Sequence, residues 1–397
     1  MYNIYHFILS IILIIILTML ISKNYKKIKI RFIIQILFIE IFIAHFLLNS
    51  QIGLHIIKNF SIFFDKILSF SSEGTNFVFG NMKNNNLAYF FLNVLCPIIF
   101  ISSLIGILQY IRILPLLIYI IGTILSKING MGKLESFNAI STLLLGQSEN
   151  FIIYKDIIKK ISKEQLFNIS VTSMSTASMS IINSYILILS PKYVITALIL
   201  NMFSTFIILS IINPHQQTYK KDKIFKIYKI KYTKKSFFEI LCEHILTGAK
   251  VAMIVAAMLI GFIPLISVAN TICQITLGTN FQNIIGYIFL PFAWIIGIPK
   301  QEIFQISSIM ATKLISNEFI AMIDLQKISH TLSSRSITIL SVFLVSFTNF
   351  SSIGIITGAI KSLNKKQGKK ISKNGFKLIY SATLINALSS AITGLVT

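Results

Sequence analysis

Acidic side chains are the scarcest chemistry in this chain: 13 Asp and Glu stand against 36 Lys and Arg in 397 residues. Charged residues of both signs make up only 12%, about half the share of an ordinary soluble domain. That shortage excludes a soluble globular reading. The three cysteines, Cys96, Cys242 and Cys273, are scattered with no redox or metal-ligand spacing. They read as small apolar fillers, and the six histidines are equally isolated. No metal site and no cofactor is expected. HExxH, GxSxG and a paired intramembrane aspartate are all missing, which argues against a membrane-embedded enzyme.

What is present in quantity is apolar: 54% hydrophobic residues, gathered in runs. Leu9 to Ser22, Phe32 to Leu48, Tyr89 to Ile111, Tyr193 to Asn213, Val251 to Ala269 and Ile337 to Phe347, with their flanks, approach or exceed the ~18 residues that suggest a membrane span. The first run lacks a basic leader and a small-residue cleavage site, and its lysines follow it, so it reads as a span and not a signal peptide.

The net charge of +23 raises a nucleic-acid reading. The lysines fall instead in bands between apolar runs, without interleaved aromatic platforms, and no nucleic-acid partner is expected. The bands are Lys23 to Arg31, Lys155 to Lys163, Asn213 to Lys235 with eight lysines, and Lys361 to Lys377. Placing all four in the cytoplasm orders the chain. Span one leads in, span two (Phe32 to about His55) leads out, and polar residues 56–87 stay outside. Span three (about Leu87 to Tyr110) returns, and Arg112 to Lys127 lies along the inner surface. Span four (about Phe167 to Ser190) leads out, Pro191 and Lys192 turn outside, and span five (Tyr193 to Ile212) returns. Span six (about Phe237 to Ala269), span seven (about Ser336 to Ile360) and span eight (Phe376 to Val396) complete eight crossings, with both termini outside.

Two pieces remain, Gly130 to about Lys155 with GQSEN, and about Ile298 to Leu332 with SNEF. Each starts and ends on one side and is too apolar for a water-exposed loop. Each reads as a re-entrant hairpin, tolerated where protein or a water-filled cavity surrounds it. A span carrying STASMS (Ser175 to Ser180) follows the first, and one carrying NFSSIG (Asn349 to Gly354) follows the second. Hairpin, polar span, span, twice, from opposite sides, is the order of an inverted repeat, whose interface holds the substrate site in many transporters. The segments divide as 1–128, scaffold spans and interfacial helix; 129–235, first hairpin with spans four and five; 236–297, span six and a connecting segment; and 298–397, second hairpin with spans seven and eight.

Glu40, Glu149 and Glu318 lie inside apolar stretches, where a carboxylate costs ~3 kcal/mol even on the lenient insertion scale. Glu40 reads as pairing with a neighbour or sitting in a subunit contact. Glu149 and Glu318 each lie beside an amide, Gln147 and Asn317, at a break in an apolar segment, and read as site groups. No Arg or Lys is expected among them, which disfavours phosphorylated or carboxylate solutes. A neutral solute rich in hydroxyl and N–H donors fits. Phe347 could give it a stacking face, although a lone Phe in a span more often packs.

Several stretches carry a resemblance: GTNFVFGN (Gly74 to Asn81), GQSEN (Gly146 to Asn150), KLISNEFIA (Lys313 to Ala321) and FTNFSSIGI (Phe347 to Ile355). They resemble the signatures of the concentrative nucleoside transporters, and KLESFNAIS, YKDI, NMFSTFI and MATKLISNEF are similar to the bacterial proton-coupled nucleoside permease branch. The resemblance spans essentially the whole chain. It implies an all-α polytopic membrane protein, a homotrimer with eight spans and two re-entrant hairpins per subunit. It implies uptake of nucleosides, pyrimidine nucleosides and adenosine among them, across a bacterial inner membrane by elevator-like movement, with periplasmic termini. By resemblance, Gln147, Ser148 and Glu149 contact the nucleobase, Glu318, Asn349 and Ser352 hold the ribose hydroxyls, and Phe347 and Ile181 line the base. Sodium-coupled members carry Asn four residues before the hairpin glycine and Ser on the following span; here those positions hold Thr142 and Thr176. The resemblance therefore implies coupling to protons, with Glu149 and Glu318 as carriers and sodium as the alternative ion.

Overall fold

The structure is a computed structural model that describes residues 2–22, 24–80, 88–147, 150–154, 158–159, 161–214 and 236–397. Every regular element among these residues is helical. Ser148, Glu149 and most of the third basic band lie outside the described residues.

The side-chain distribution is inside out. Helix α1 (Tyr2–Leu20) turns His6, Ser10, Ile14 and Thr18 inward at four-residue intervals and Ile4, Ile8, Ile12 and Ile16 outward. Helix α2 (Ile30–Asn49) buries Ile36, Glu40 and Ala44 and exposes Ile34, Phe38 and Phe42. Small and polar residues face the bundle and large apolar ones face away, the pattern expected where lipid is the solvent. Among the described residues, six helical stretches are long and apolar enough to cross a membrane: Asn3–Leu20, Ile30–Asn49, Phe90–Tyr110, Pro191–Ile212, Phe237–Leu277 and Gly375–Val396.

Glu40 is fully buried and finds its partner within the chain. Its Oε1 accepts from Ser204 Oγ at 2.5 Å, and Ser204 accepts from Ser389 Oγ at 2.9 Å. This chain of contacts fastens α2 to the two most enclosed helices of the bundle.

Span two ends earlier than expected. Ser50 is extended, and its hydroxyl caps the next helix by accepting from Gly53 N at 2.9 Å. A Cβ at Gly53 would stand 2.0 Å from Phe46 O, so the turn requires glycine. Most of residues 56–87, expected as an external loop, forms α3 (Gln51–Phe79), which buries Ile57, Phe64, Ser71 and Thr75 along one stripe. A π-helical turn (Phe90–Leu95) then leads into α4 (Pro97–Tyr110) and α5 (Ile113–Ile128), the latter on the expected surface segment.

The rest follows one order twice. Helices α6 (Lys133–Leu145) and α7 (Asn150–Ile153) form a helical hairpin, α8 (Lys163–Ser175) and α9 (Met179–Ile186) a broken helix, and α10 (Pro191–Ile212) a long one. After α11 (Phe237–Leu277) and α12 (Phe281–Ile295), α13 (Ile303–Ile315) and α14 (Glu318–Ile328) form a second hairpin. Helices α15 (Ser334–Leu344) and α16 (Phe350–Leu363) form a second broken helix, and short α17 (Lys365–Ser372) leads to the long α18 (Gly375–Val396). Helix α12 corrects the expectation of a connecting segment after span six.

Helix α11 has 41 residues, about 60 Å at 1.5 Å per residue and twice a bilayer's apolar thickness. It packs along α4 through two glycines: a Cβ at Gly106 would meet the His244 ring at 2.8 Å, and one at Gly248 would lie 2.9 Å from Ile99 Cα. The second obstacle is backbone and cannot rotate away. Gly248→Val should therefore force the two helices apart at a cost of about 1–3 kcal/mol. A thermal-melting midpoint in detergent within a degree of the parent would contradict this packing.

Candidate functional site

Both broken helices stop where their residues favour stopping. Between α8 and α9 lie Thr176, Ala177 and Ser178, with Thr176 and Ser178 extended. Between α15 and α16 lie Val345 to Thr348, and Asn349 caps α16 by accepting from Ser352 N at 2.9 Å. Each interruption strips several backbone groups of their helical partners. The two breaks supply each other: Phe347 N donates to Thr176 O at 3.4 Å, and Thr348 Oγ1 donates to Met174 O at 3.2 Å. The enclosed helices supply the rest. Asn201 of α10 donates to Val345 O at 2.7 Å, and Asn386 of α18 donates to Ser346 Oγ at 2.6 Å and Thr348 Oγ1 at 3.0 Å.

The hairpin tips close on this crossing. Gly146 ends α6 with φ +104°, a backbone that side-chain-bearing residues rarely adopt, and a Cβ there would meet Ser178 at 3.2 Å. Asn150, at the start of α7, is fully buried: it donates to Asn138 Oδ1 at 2.6 Å and Ser173 Oγ at 3.3 Å and accepts from Ser141. This knot binds the first hairpin to the last turn of α8. At the second tip, Asn317 Oδ1 accepts from Ile320 N at 3.0 Å and caps α14. Glu318 then stands in the first helical turn, where the positive end of the helix favours an anion.

Glu318 is 4% exposed, and both its oxygens are held: Oε1 accepts from Tyr185 OH and Oε2 from Asn349 Nδ2, each at 2.9 Å. Phe319 packs against Tyr185 with ring centroids 5.2 Å apart. An open cavity of about 750 Å³, mouth included, lies between the tips and the breaks. Gln147, Ser178, Glu318, Phe347, Asn349 and Ser352 line it, with Ile181 on one side and Val251 and Ile254 of α11 on another. The Gln147 side-chain oxygen has no partner among the described residues.

Comparison with known proteins decides what this geometry belongs to. The family described as Na+ dependent nucleoside transporter C-terminus matches residues 193–394, its N-terminal counterpart matches 9–82, and the family described as nucleoside recognition matches 91–212. The purine nucleoside transport protein of Bacillus subtilis is 35% identical over 388 residues, 97% of each chain. The nucleoside permease of Helicobacter pylori is 26% identical, over 94% of this chain and 93% of its own. The chain belongs to the concentrative nucleoside transporter family. Among solved structures, the inward-facing, substrate-bound form of CNTnw matches with a TM-score of 0.90 at 26% identity, covering 100% of this chain and 98% of its own. An outward-facing form of CNTnw matches at 0.89 and 25%, covering 99% and 97%. These relatives are multi-pass membrane transporters, not enzymes.

Of the residues singled out in the sequence of this transporter, Gln147, Ile181, Glu318, Phe347, Asn349 and Ser352 line one cavity. Ser148 and Glu149 lie outside the described residues. Thr176 sits at the first break, and Thr142 lies within α6 beside the last turn of α8. Thr142 Oγ1 is 3.4 Å from Ser173 Oγ, a long contact, whereas Thr176 Oγ1 donates to Thr172 O, four residues back, at 2.9 Å. Tyr185 was missed because a tyrosine in an apolar run carries no local signal. Lys313 corrects the expectation that no cation sits nearby: it lies on the second hairpin, buried behind the cavity wall and not among its lining residues.

Glu318→Gln keeps the shape of the carboxylate and removes its charge. Hydrogen bonds to charged groups contribute about 1.5–3 kcal/mol, so the apparent nucleoside affinity of uptake should fall about tenfold or more. Unchanged affinity and rate in proteoliposomes would remove Glu318 from the site.

Proposed function

We propose that this transporter imports nucleosides across the bacterial inner membrane by proton symport. The observation that carries the reading is the shared cavity: both hairpin tips and both helix breaks meet around Gln147, Glu318 and Asn349. In this reading Gln147, with Ser148 and Glu149, takes the nucleobase. Glu318, Asn349 and Ser352 take the ribose hydroxyls, and Phe347 and Ile181 flank the base. The site is rich in acceptors and Lys313, the lysine nearby among the described residues, is turned away, which suits a neutral, donor-rich solute. The name of the B. subtilis relative supports testing purine nucleosides such as inosine beside uridine and adenosine.

Alternating access follows by an elevator-like movement of the hairpin-bearing segments, 129–235 and 298–397, against a scaffold of 1–128 and 236–297. The assembly is a homotrimer, and both termini are periplasmic. The basic bands support that orientation. A single cysteine replacing Lys365, on α17, should be shielded from an impermeant thiol reagent added to intact cells, and one replacing Glu73, exposed on α3, should be labelled. Labelling in the opposite sense would invert the topology.

Coupling is read from the chemistry of the first break. A dehydrated sodium ion needs several oxygens at fixed distances, and the Thr176 hydroxyl is already donating to its own helix. A proton needs no cage, only a carboxylate that can take it up and release it, which Glu318 and Glu149 supply. Sodium is the second reading, favoured by the description of the matching family. Uptake should be abolished by a protonophore, rise as external pH falls, and persist when choline replaces sodium. Strict sodium dependence at fixed pH would replace the proton and leave the nucleoside reading standing.

A further inference from the structure

Lys313 stands in the last turn of α13 with 1% of its surface exposed. Its Nζ donates to Phe343 O and, at 2.7 Å, to Ser346 Oγ, and lies 4.7 Å from the centroid of the Phe343 ring. Phe343 O is one of the carbonyls left free where α15 ends, at the negative pole of that helix. Ser346 Oγ spends its own proton on Thr348 Oγ1 at 3.1 Å. All three neighbours are electron-rich, and none offers a proton to an amine lone pair; this is the surrounding of an ammonium ion. The carboxylate of the same hairpin accepts instead from Tyr185 and Asn349.

The consequences run along the break. Lys313 fixes Ser346, Ser346 donates to Thr348, and Thr348 donates to Met174 O of the other broken helix. Asn349 follows directly and holds Glu318 at 2.9 Å. Among the described residues no cation contacts the first break: Thr172 O takes the hydroxyl of Thr176 at 2.9 Å, and Thr142 and Ser173 meet through hydroxyls. The two halves of the repeat thus end their broken helices differently, one against hydroxyls and one against a cation on a tether.

We propose that Lys313 is a built-in cation that holds the second break in its solute-binding shape, in place of a free monovalent ion. It is a positioning residue, acting through Ser346, Thr348 and Asn349 on Glu318, and the inference rests on the nucleoside reading of the cavity. Because the ammonium is covalently attached, the second break needs no dissolved ion to close, and only the first is left to respond to one.

The test is nucleoside binding to the purified full-length protein, measured by calorimetry with uridine and inosine while methylammonium chloride replaces choline chloride at constant ionic strength. Binding needs no gradient, so the added amine cannot act by discharging one. The parent protein should bind with a Kd indifferent to methylammonium. Lys313→Ala and Lys313→Met should both bind about tenfold more weakly, the scale of a lost charge-assisted contact. Methylammonium should restore the alanine variant several-fold and saturably, because truncation leaves room for it. The methionine variant, with the space filled, should stay weak. Ser346→Ala keeps the lysine and breaks the relay, and should weaken binding about threefold or more if neither lysine variant can be purified. Parent protein that binds no nucleoside overturns the functional reading. Parent protein that binds, with Lys313→Met or Ser346→Ala at parental affinity, overturns the tethered cation. An alanine variant that is weak and indifferent to methylammonium does so too, making Lys313 a packing residue.

Discussion

Backbone that leaves its helix inside an apolar bundle has to find hydrogen-bond partners within the protein, since no water is there to supply them. The molecule depends on how it meets that constraint at Thr176 to Ser178 and Val345 to Thr348. Neither break is satisfied alone. Phe347 N needs Thr176 O, and Thr348 needs Met174 O, so each interrupted helix completes the other. Asn201 takes Val345 O and Lys313 takes Phe343 O, while Asn386 holds the Ser346 and Thr348 hydroxyls, from three different elements. The crossing is therefore assembled only when both halves of the repeat are in place, and the cavity is the space beside it.

The same constraint explains the inside-out composition. Helices α10 and α18 are almost wholly enclosed and yet carry Thr196, Asn201, Ser204, Thr205, Ser381, Asn386, Ser389 and Thr393. In a soluble core such residues would be liabilities. Among them Asn201 and Asn386 donate into the second break, and Ser204, joined by Ser389, donates to the buried carboxylate of Glu40. The large apolar side chains carry no such duty and are left facing outward on α1, α2, α5 and α11. Removing Asn201, Ser204 or Asn386 would strand a partner on another element, which couples packing of the bundle to the shape of the second break.

Much of this was legible before any coordinates. The apolar runs, the GQSEN and SNEF interruptions and the order hairpin, polar span, span are sequence-level facts, and lipid imposes them strongly enough to survive folding. Other features were hidden for physical reasons. Residues 56–87 look like a loop because Ser71, Ser72, Gly74, Thr75 and Asn76 cluster there, but the seven-residue spacing of Ile57, Phe64 and Ser71 marks the buried stripe of α3. That stripe was readable and was outweighed by local composition. The break within span four had only STAS to announce it, small residues equally common in continuous helices. Tyr185 and Lys313 could not have been found locally, because their partners are 133 and 30 residues away, respectively.

The division between holding and binding can be drawn from hydrogen-bond capacity. An ionised carboxylate accepts about four hydrogen bonds, and Glu318 has accepted two, from Tyr185 and Asn349. An amide oxygen accepts two, and Asn349 Oδ1 has taken both, from Ser351 Oγ at 2.7 Å and Ser352 N at 2.9 Å. Its Nδ2 has given one proton to Glu318 and keeps one. The Gln147 oxygen has given nothing away among the described residues. What the protein leaves unspent at the cavity is thus mainly acceptor capacity on Glu318 and Gln147, with a single amide proton beside it. A solute with neighbouring hydroxyls, able both to donate and to accept, would match that remainder at Glu318 and Asn349. A phosphate or carboxylate brings only acceptors, so the same unspent groups would repel it, and Lys313, behind the wall, is already committed to the end of α15.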